Sequence, residues 1–297
     1  MIVKCYLCRL NCGNMFLQFV QKLEMRKRIF IYLSLSLLLL SCNSYNKVLT
    51  SNNIDYKYEA AKAYYLQGEY AKASQLLESV ITLLKGSDKA EESLILLAGC
   101  YYDSKDFDTA SQYYKVYYTN YPRGEFAEYA RFYSGKSLFM NITEPELDQS
   151  GTYLAIGELQ LFMEYFPLST MRDEAQDMIV KMHDLLVEKD YLSAKLYYDL
   201  GDFMAYKGNN YLACIITAQN ALKDYPYTGL REELSMLILR ARYKMAYHSI
   251  EEKKEERYRE TIDEYYAFKT EFPDSEYMEE ADDFFKEAKK FVKEDNN

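Results

Sequence analysis

The chain reads as an all-α protein built from successive helix pairs. Three observations predict this. Among 297 residues there are only 11 Gly and 5 Pro, so turn-forming material is scarce. The chain is 49% hydrophobic and 16% aromatic, which with so few turns favours long packed helices over a strand-rich fold. One punctuation pattern also returns at four places, as repeated helical units require. With 32 Tyr, 15 Phe and no Trp, the core must be built largely from rings, which bury large area and, in Tyr, keep a hydroxyl at the edge.

The first element is an address. Cys5, Cys8 and Cys12 lie in residues 1–24 with a spacing that metal sites use, but no second ligand cluster follows, so no metal is expected. This stretch is either a misplaced start, with Met25 the true one, or an unusual leader. After Met25 come Arg26-Lys27-Arg28, twelve largely apolar residues from Ile29 to Leu40, then Ser41-Cys42. A basic segment, a short apolar run and a small residue before the cut make a secretory signal. Twelve residues cannot cross a bilayer core, which takes about 20 in a helix. Leu39-Leu40-Ser41-Cys42 resembles the lipobox of bacterial lipoproteins. That resemblance implies cleavage before Cys42 and a diacylglycerol on its thiol, two acyl chains being enough for a stable anchor. Asn43 follows, with neither an aspartate nor an acidic run, which in such lipoproteins implies the outer membrane, facing the periplasm.

The repeats come next. Ala61, Tyr64, Gly68, Tyr70, Ala73 and Leu77 recur in kind as Ala98, Tyr101, Phe107, Ala110 and Tyr114. A small residue where helices cross lets backbones approach, and a ring fills the next layer. This resembles the TPR consensus. The junctions are sharper still. Tyr121-Pro122, Phe166-Pro167, Tyr225-Pro226 and Phe272-Pro273 are followed by Gly124, Ser169, Thr228 and Ser275, and then by Ala130, Ala175, Leu234 and Ala281. Acidic residues precede the last position: Glu128, Asp173-Glu174, Glu232-Glu233 and Glu279-Glu280. Pro ends one helix, the small residue can cap the next, and the carboxylates face its positive end. Pro-to-Pro spacings of 45, 59 and 47 exceed the roughly 34 residues of a plain TPR, so helices are lengthened or loops inserted, as at Asn141–Gly151.

The expectation is a TPR-like helical solenoid of five helix pairs, at 54–86, 91–121, 125–166, 170–225 and 230–272, with a C-terminal capping helix at 275–293. Residues 168–225 contain no Pro and leave room for three helical segments instead of two. The division is 1–41 leader and signal, 42–53 lipidated linker, 54–166 N-terminal repeats and 167–297 C-terminal repeats with cap. Lys286, Lys289, Lys290 and Lys293 on the cap read as a solvated end.

The order of lipobox, short linker, five TPR-like pairs and aromatic–Pro junctions resembles the BamD-like outer-membrane assembly lipoproteins over Cys42–Asn297. The resemblance implies a scaffold and not an enzyme. It implies binding to the periplasmic domains of a BamA-like β-barrel insertase and to unfolded outer-membrane proteins. The alternative is another periplasmic TPR lipoprotein adaptor, YbgF-like or serving cell-envelope enzymes. YbgF-like proteins share the junctions but carry a coiled coil that has no counterpart in the heptad-free linker.

Composition narrows the rest. A net charge of −10 and a pI near 5.0 argue against nucleic acid, which calls for a basic surface. His183 and His248 are the two histidines; far apart, they read as helix-face residues and offer no metal pair. No catalytic residue or cofactor is expected. Cys100 and Cys214 lie in helical patterns and read as small buried apolar residues with free thiols. A peptide groove is expected on the first helices of the first three repeats. Setting Ala61, Ala98 and Gly135 at the small crossing position places Tyr58, Lys62 and Tyr65, then Ile95, Tyr102 and Asp103, then Tyr129, Phe132, Lys136 and Phe139 on the concave side. In that groove Lys62 and Lys136 are expected to attract the terminal carboxylate of a bound peptide. The same residues are open to a second reading, in which the aromatics are core.

Overall fold

The computed structural model describes residues 45–203 and 209–293. Leu39, Leu40, Ser41 and Cys42, the expected cleavage motif and lipidation site, lie outside them. Among the described residues every regular element is helical, and the fold is all-α with TPR-like helix pairs. The pairs are α1 (Ile54–Leu66) with α2 (Tyr70–Val80), α3 (Ala90–Asp103) with α4 (Phe107–Asn120), and α5 (Ala127–Met140) with α6 (Ser150–Tyr165). Then come α7 (Arg172–Leu200) with α8 (Asn210–Asp224), α9 (Arg231–Tyr247) with α10 (Glu251–Glu271), and the cap α11 (Met278–Lys289). The five expected pairs and the cap are all present. The described helices include none long and apolar enough to cross a membrane.

The chain forms two compact units, the first ending at Tyr113 and the second beginning at Tyr114. In the first unit α1 packs on α2, and α3 packs on both. Gly68, at φ +76°, supplies the left-handed residue that reverses α1 into α2. Asn53 caps α1 by accepting the Tyr56 N–H at 3.0 Å. The core gathers Ala61, Ala73, Leu76, Leu77, Leu97 and Cys100 around Tyr58. Part of the segment read as linker is structured. Residues 45–49 form a helical turn whose Val48 is buried and whose Tyr45 and Leu49 pack on the same core.

In the second unit α5 packs on α6, α7 on α8 and α9 on α10. Each first helix also touches the next: α5 with α7, α7 with α9, α9 with α11. A close crossing lies at Gly135. A Cβ there would lie 2.7 Å from Leu159 Cδ2 and 3.2 Å from the Leu159 backbone nitrogen, so only glycine lets α5 and α6 approach this far.

The junctions show why the punctuation recurs. Phe166, Tyr225 and Phe272 end their helices at φ near −127° to −129° and ψ 64° to 68°. That is outside the helical region, as the following proline ring demands. Ser169, Thr228 and Ser275 cap the turn and not the helix proper. Their hydroxyls accept the N–H of Met171, Leu230 and Tyr277 at 3.0–3.1 Å, the residues just before each helix begins. The acidic pairs do stand in the first turns of α7, α9 and α11.

Residues 168–225 differ from the three-segment expectation. One helix, α7, runs 29 residues before α8 begins. No Pro or Gly interrupts it, and Ala175, Met178, Met182, Leu186 and Ala194 keep one face apolar along its length. It stops at Gly201, φ +50°. The insertion at 141–149 is an ordered loop. The buried Gln149 amide donates to the Glu144 carbonyl at 2.8 Å and accepts from the Thr152 hydroxyl at 2.6 Å.

Cys100 and Cys214 are free and buried, one in each unit, and burial pushes both thiols up to about 12. His248 ends α9 instead of lying on its face, with Nδ1 2.7 Å from Asp202 Oδ2. Ala73 and Ala110 are fully buried at the positions read as crossings. Ala73→Leu and Ala110→Leu should each lower stability by about 1–3 kcal/mol through overpacking. Thermal melts tracked by circular dichroism check this, and unchanged midpoints in both would show that the alanines have room beside them.

Candidate binding surface

In the first unit Tyr58 is 1% exposed, set in the core between α1 and its neighbours. Its hydroxyl donates to Glu92 of α3. Lys62, one turn on, pairs with the same carboxylate at 2.8 Å, and its ammonium stands 5.2 Å from the Tyr58 ring centroid. Lys89, paired with Asp55 at 2.8 Å, stands 5.3 Å from that ring. Tyr65 is half-buried, its hydroxyl 3.1 Å from Asp103 and its ring edge-on to Tyr70. Gly99 makes room for it: a Cβ there would meet the Tyr65 hydroxyl at 3.1 Å. Tyr102 is half-buried and edge-on to Phe107, while Ile95 is buried.

The second unit repeats the arrangement. Phe132 is 1% exposed and packs against Phe162, with 5.2 Å between centroids. Lys136, again one turn on, pairs with Glu174 of α7 at 2.7 Å and lies over the Phe132 and Tyr133 rings. Tyr129 is exposed and stacked on Tyr133 at 4.1 Å, and Phe139 packs on the core. Arg240 repeats the motif further on, holding Glu280 through two hydrogen bonds and lying 5.2 Å from the Tyr277 ring.

These three cations share one geometry. Each projects from the first helix of a pair and holds a carboxylate in the first turn of the next first helix, with a ring beneath it. The carboxylate also faces the positive helix end, so macrodipole and ion pair act together. Lys62 and Lys136, expected to attract a partner's terminal carboxylate, each already hold one from their own chain. Tyr58 and Phe132 act as core beneath them. The aromatic surface left accessible is Tyr65 and Tyr102 in one unit and Tyr129 in the other, with part of Phe139.

Such a ladder of helix pairs, with aromatic–Pro junctions and cation struts, can be compared with known families. A model of the YfiO family, described as outer membrane lipoprotein, matches residues 51–257. The chain belongs to this family. None of the curated proteins matches it. The matched interval runs from the α1 cap into α10 and so takes in the Lys62 and Lys136 struts and every groove residue named above, while the Arg240 strut reaches beyond it to Glu280.

In this lipoprotein the strut at Glu92 carries a pH dependence. Its hydrogen bonds to Lys62 and then Tyr58 hold the carboxyl below its ordinary range. A lowered folded-state value stabilises above the ordinary carboxylate range, and that contribution is lost as pH falls through the folded value. The first unit should therefore melt at lower temperature below about pH 4. Glu92→Gln should remove part of that acid sensitivity, modestly, because the pair is solvent-screened. An acid melting profile identical to wild type would show the strut to be energetically silent.

Two features carried no clear sequence signal. The turn at 45–49 is too short for periodicity to reveal. The cavity beside Tyr225-Pro226 arises because α7 extends past its partner's junction, which depends on helix length and not on local motif.

Proposed function

We propose that the chain is a non-enzymatic scaffold lipoprotein of the machinery that assembles outer-membrane β-barrels. It is held by a lipid on Cys42, faces the periplasm, binds the periplasmic domains of a BamA-like insertase, and receives unfolded outer-membrane proteins. The observation that carries this reading is family membership across the repeats, from residue 51 to residue 257. The docked turn supports the anchoring. Tyr45 donates a hydrogen bond to Gln75 at 2.6 Å and lies edge-on to Tyr64. Only Asn43 and Ser44 separate it from Cys42. A lipid on Cys42 would thus be tethered within roughly 10 Å of a packed residue, which keeps the first repeat near the bilayer surface.

The deciding experiment is affinity purification from detergent-solubilised membranes. Recovery of a barrel insertase with periplasmic domains is expected. Recovery of division or peptidoglycan enzymes in its place would overturn the reading. Incoming segments are proposed to use the accessible rings. Tyr102→Ala should weaken binding of a C-terminal peptide from an outer-membrane barrel by about 1 kcal/mol or more, with folding intact. Fluorescence anisotropy checks this, and wild-type affinity would place the receiving surface elsewhere.

A further inference from the structure

Three of the aromatic–Pro junctions open a cavity against a neighbouring helix. At Phe166-Pro167, about 480 Å³, the facing wall is Glu128. At Phe272-Pro273, about 360 Å³, it is Glu232 and Glu233. At Tyr225-Pro226, about 370 Å³, the wall is the middle of α7, with Val180 and Val187 flanking His183 and Asp184. The extra length of α7 places Val180 and Val187 on a wall that is glutamate alone at the other two junctions, with Asp184 between them. Tyr227, 98% exposed, stands at the rim.

The carboxylates of this cavity come from both of its sides. Asp184 and Asp224 are exposed and line it, and neither has an ion pair among the described residues. Asp224 stands in the last turn of α8, where the macrodipole disfavours an anion, so a cation beside it would be stabilising twice over. Asp190 nearby has its carboxyl raised by burial and then by Asp224, with Lys189 acting in the opposite direction. His183 Nδ1 is buried with no hydrogen-bond partner, and its ring lies 5.9 Å from that of Tyr225.

We propose that this cavity receives the side chain of an arginine carried by an extended segment of a partner protein. A guanidinium is flat, weakly hydrated and able to stack on Tyr and Pro surfaces, and it offers five donors and no acceptor. Those donors match the Asp184 and Asp224 carboxylates on the cavity wall. A lysine ammonium is compact and strongly hydrated, so it gains less from apolar walls. An aliphatic side chain would fill the volume and leave both carboxylates without a cation. A carboxylate would be repelled by Asp184 and Asp224. The inference stands on this cavity alone and does not need the assembly role above.

The chain has two histidines, so the imidazole C2 protons give a readable NMR spectrum, assigned with a His183→Gln variant. The full mature protein in detergent is titrated with N-acetylarginine methylamide. A saturable shift of the His183 signal is expected, with His248 unmoved. The lysine, citrulline and leucine counterparts should bind about ten-fold more weakly, as loss of a charge-assisted hydrogen bond implies. Tyr227→Ala and Asp224→Asn, both at exposed positions, should each weaken binding while leaving the melting temperature unchanged. Equal shifts with the citrulline or leucine probe would overturn the guanidinium assignment. No shift of His183 with the arginine probe would overturn the site.

Discussion

Phe132→Ala should destabilise the second unit by about 3–5 kcal/mol, the range for emptying a fully buried ring site. The ring is 1% exposed and belongs to the core that holds Ala155, Leu159, Phe162 and Met178. Neighbours cannot collapse into the space, because α5 and α6 already touch at Gly135, where backbone meets Leu159. The loss also undercuts Lys136, whose ammonium rests over the ring while it holds Glu174. Urea unfolding followed by circular dichroism should show the midpoint shift. Phe132→Leu, which keeps most of the volume, should recover most of the stability. A Phe132→Ala protein that melts like wild type but fails to bind barrel peptide would reverse this assignment and make Phe132 a ligand contact.

Residues 58, 62, 132 and 136 show where sequence stops being informative. An aromatic followed four residues later by lysine marks one helix face. It does not say whether the next repeat covers that face. The partners that settle it, Glu92 and Glu174, lie 30 and 38 residues further on, and nothing local couples them to the lysines. The elements themselves were more legible. An aromatic–Pro step forces extended backbone at its first residue, so each helix end could be placed from two letters. The small residues at 73, 110, 130, 175 and 281 are all fully buried, because close helix crossings tolerate little else. The length of α7 was harder to read. Missing punctuation over residues 168–225 fits one long helix as well as several short ones, and only packing along its whole apolar face decides.

Cys42→Ser should abolish lipid labelling and move the protein out of the membrane fraction, or leave it as an uncleaved precursor. Ser offers no thiol for the diacylglycerol transfer, and no other cysteine follows a lipobox. The loss of two acyl chains removes about 0.8 kcal/mol for each buried methylene, far more than any surface contact of the repeats could replace. Cell fractionation and metabolic labelling with a palmitate analogue read the two effects separately. Tyr45→Ala is the informative companion. It removes the hydrogen bond to Gln75 and the edge contact with Tyr64, so the turn at 45–49 should loosen while Cys42 keeps its lipid. That variant should label normally, stay in the membrane fraction, and show faster amide exchange at residues 45–49. Label persisting in Cys42→Ser would sink the anchor. Wild-type exchange in Tyr45→Ala would show that Val48 and Leu49 alone hold the turn, through the apolar contacts they make with the first helix pair.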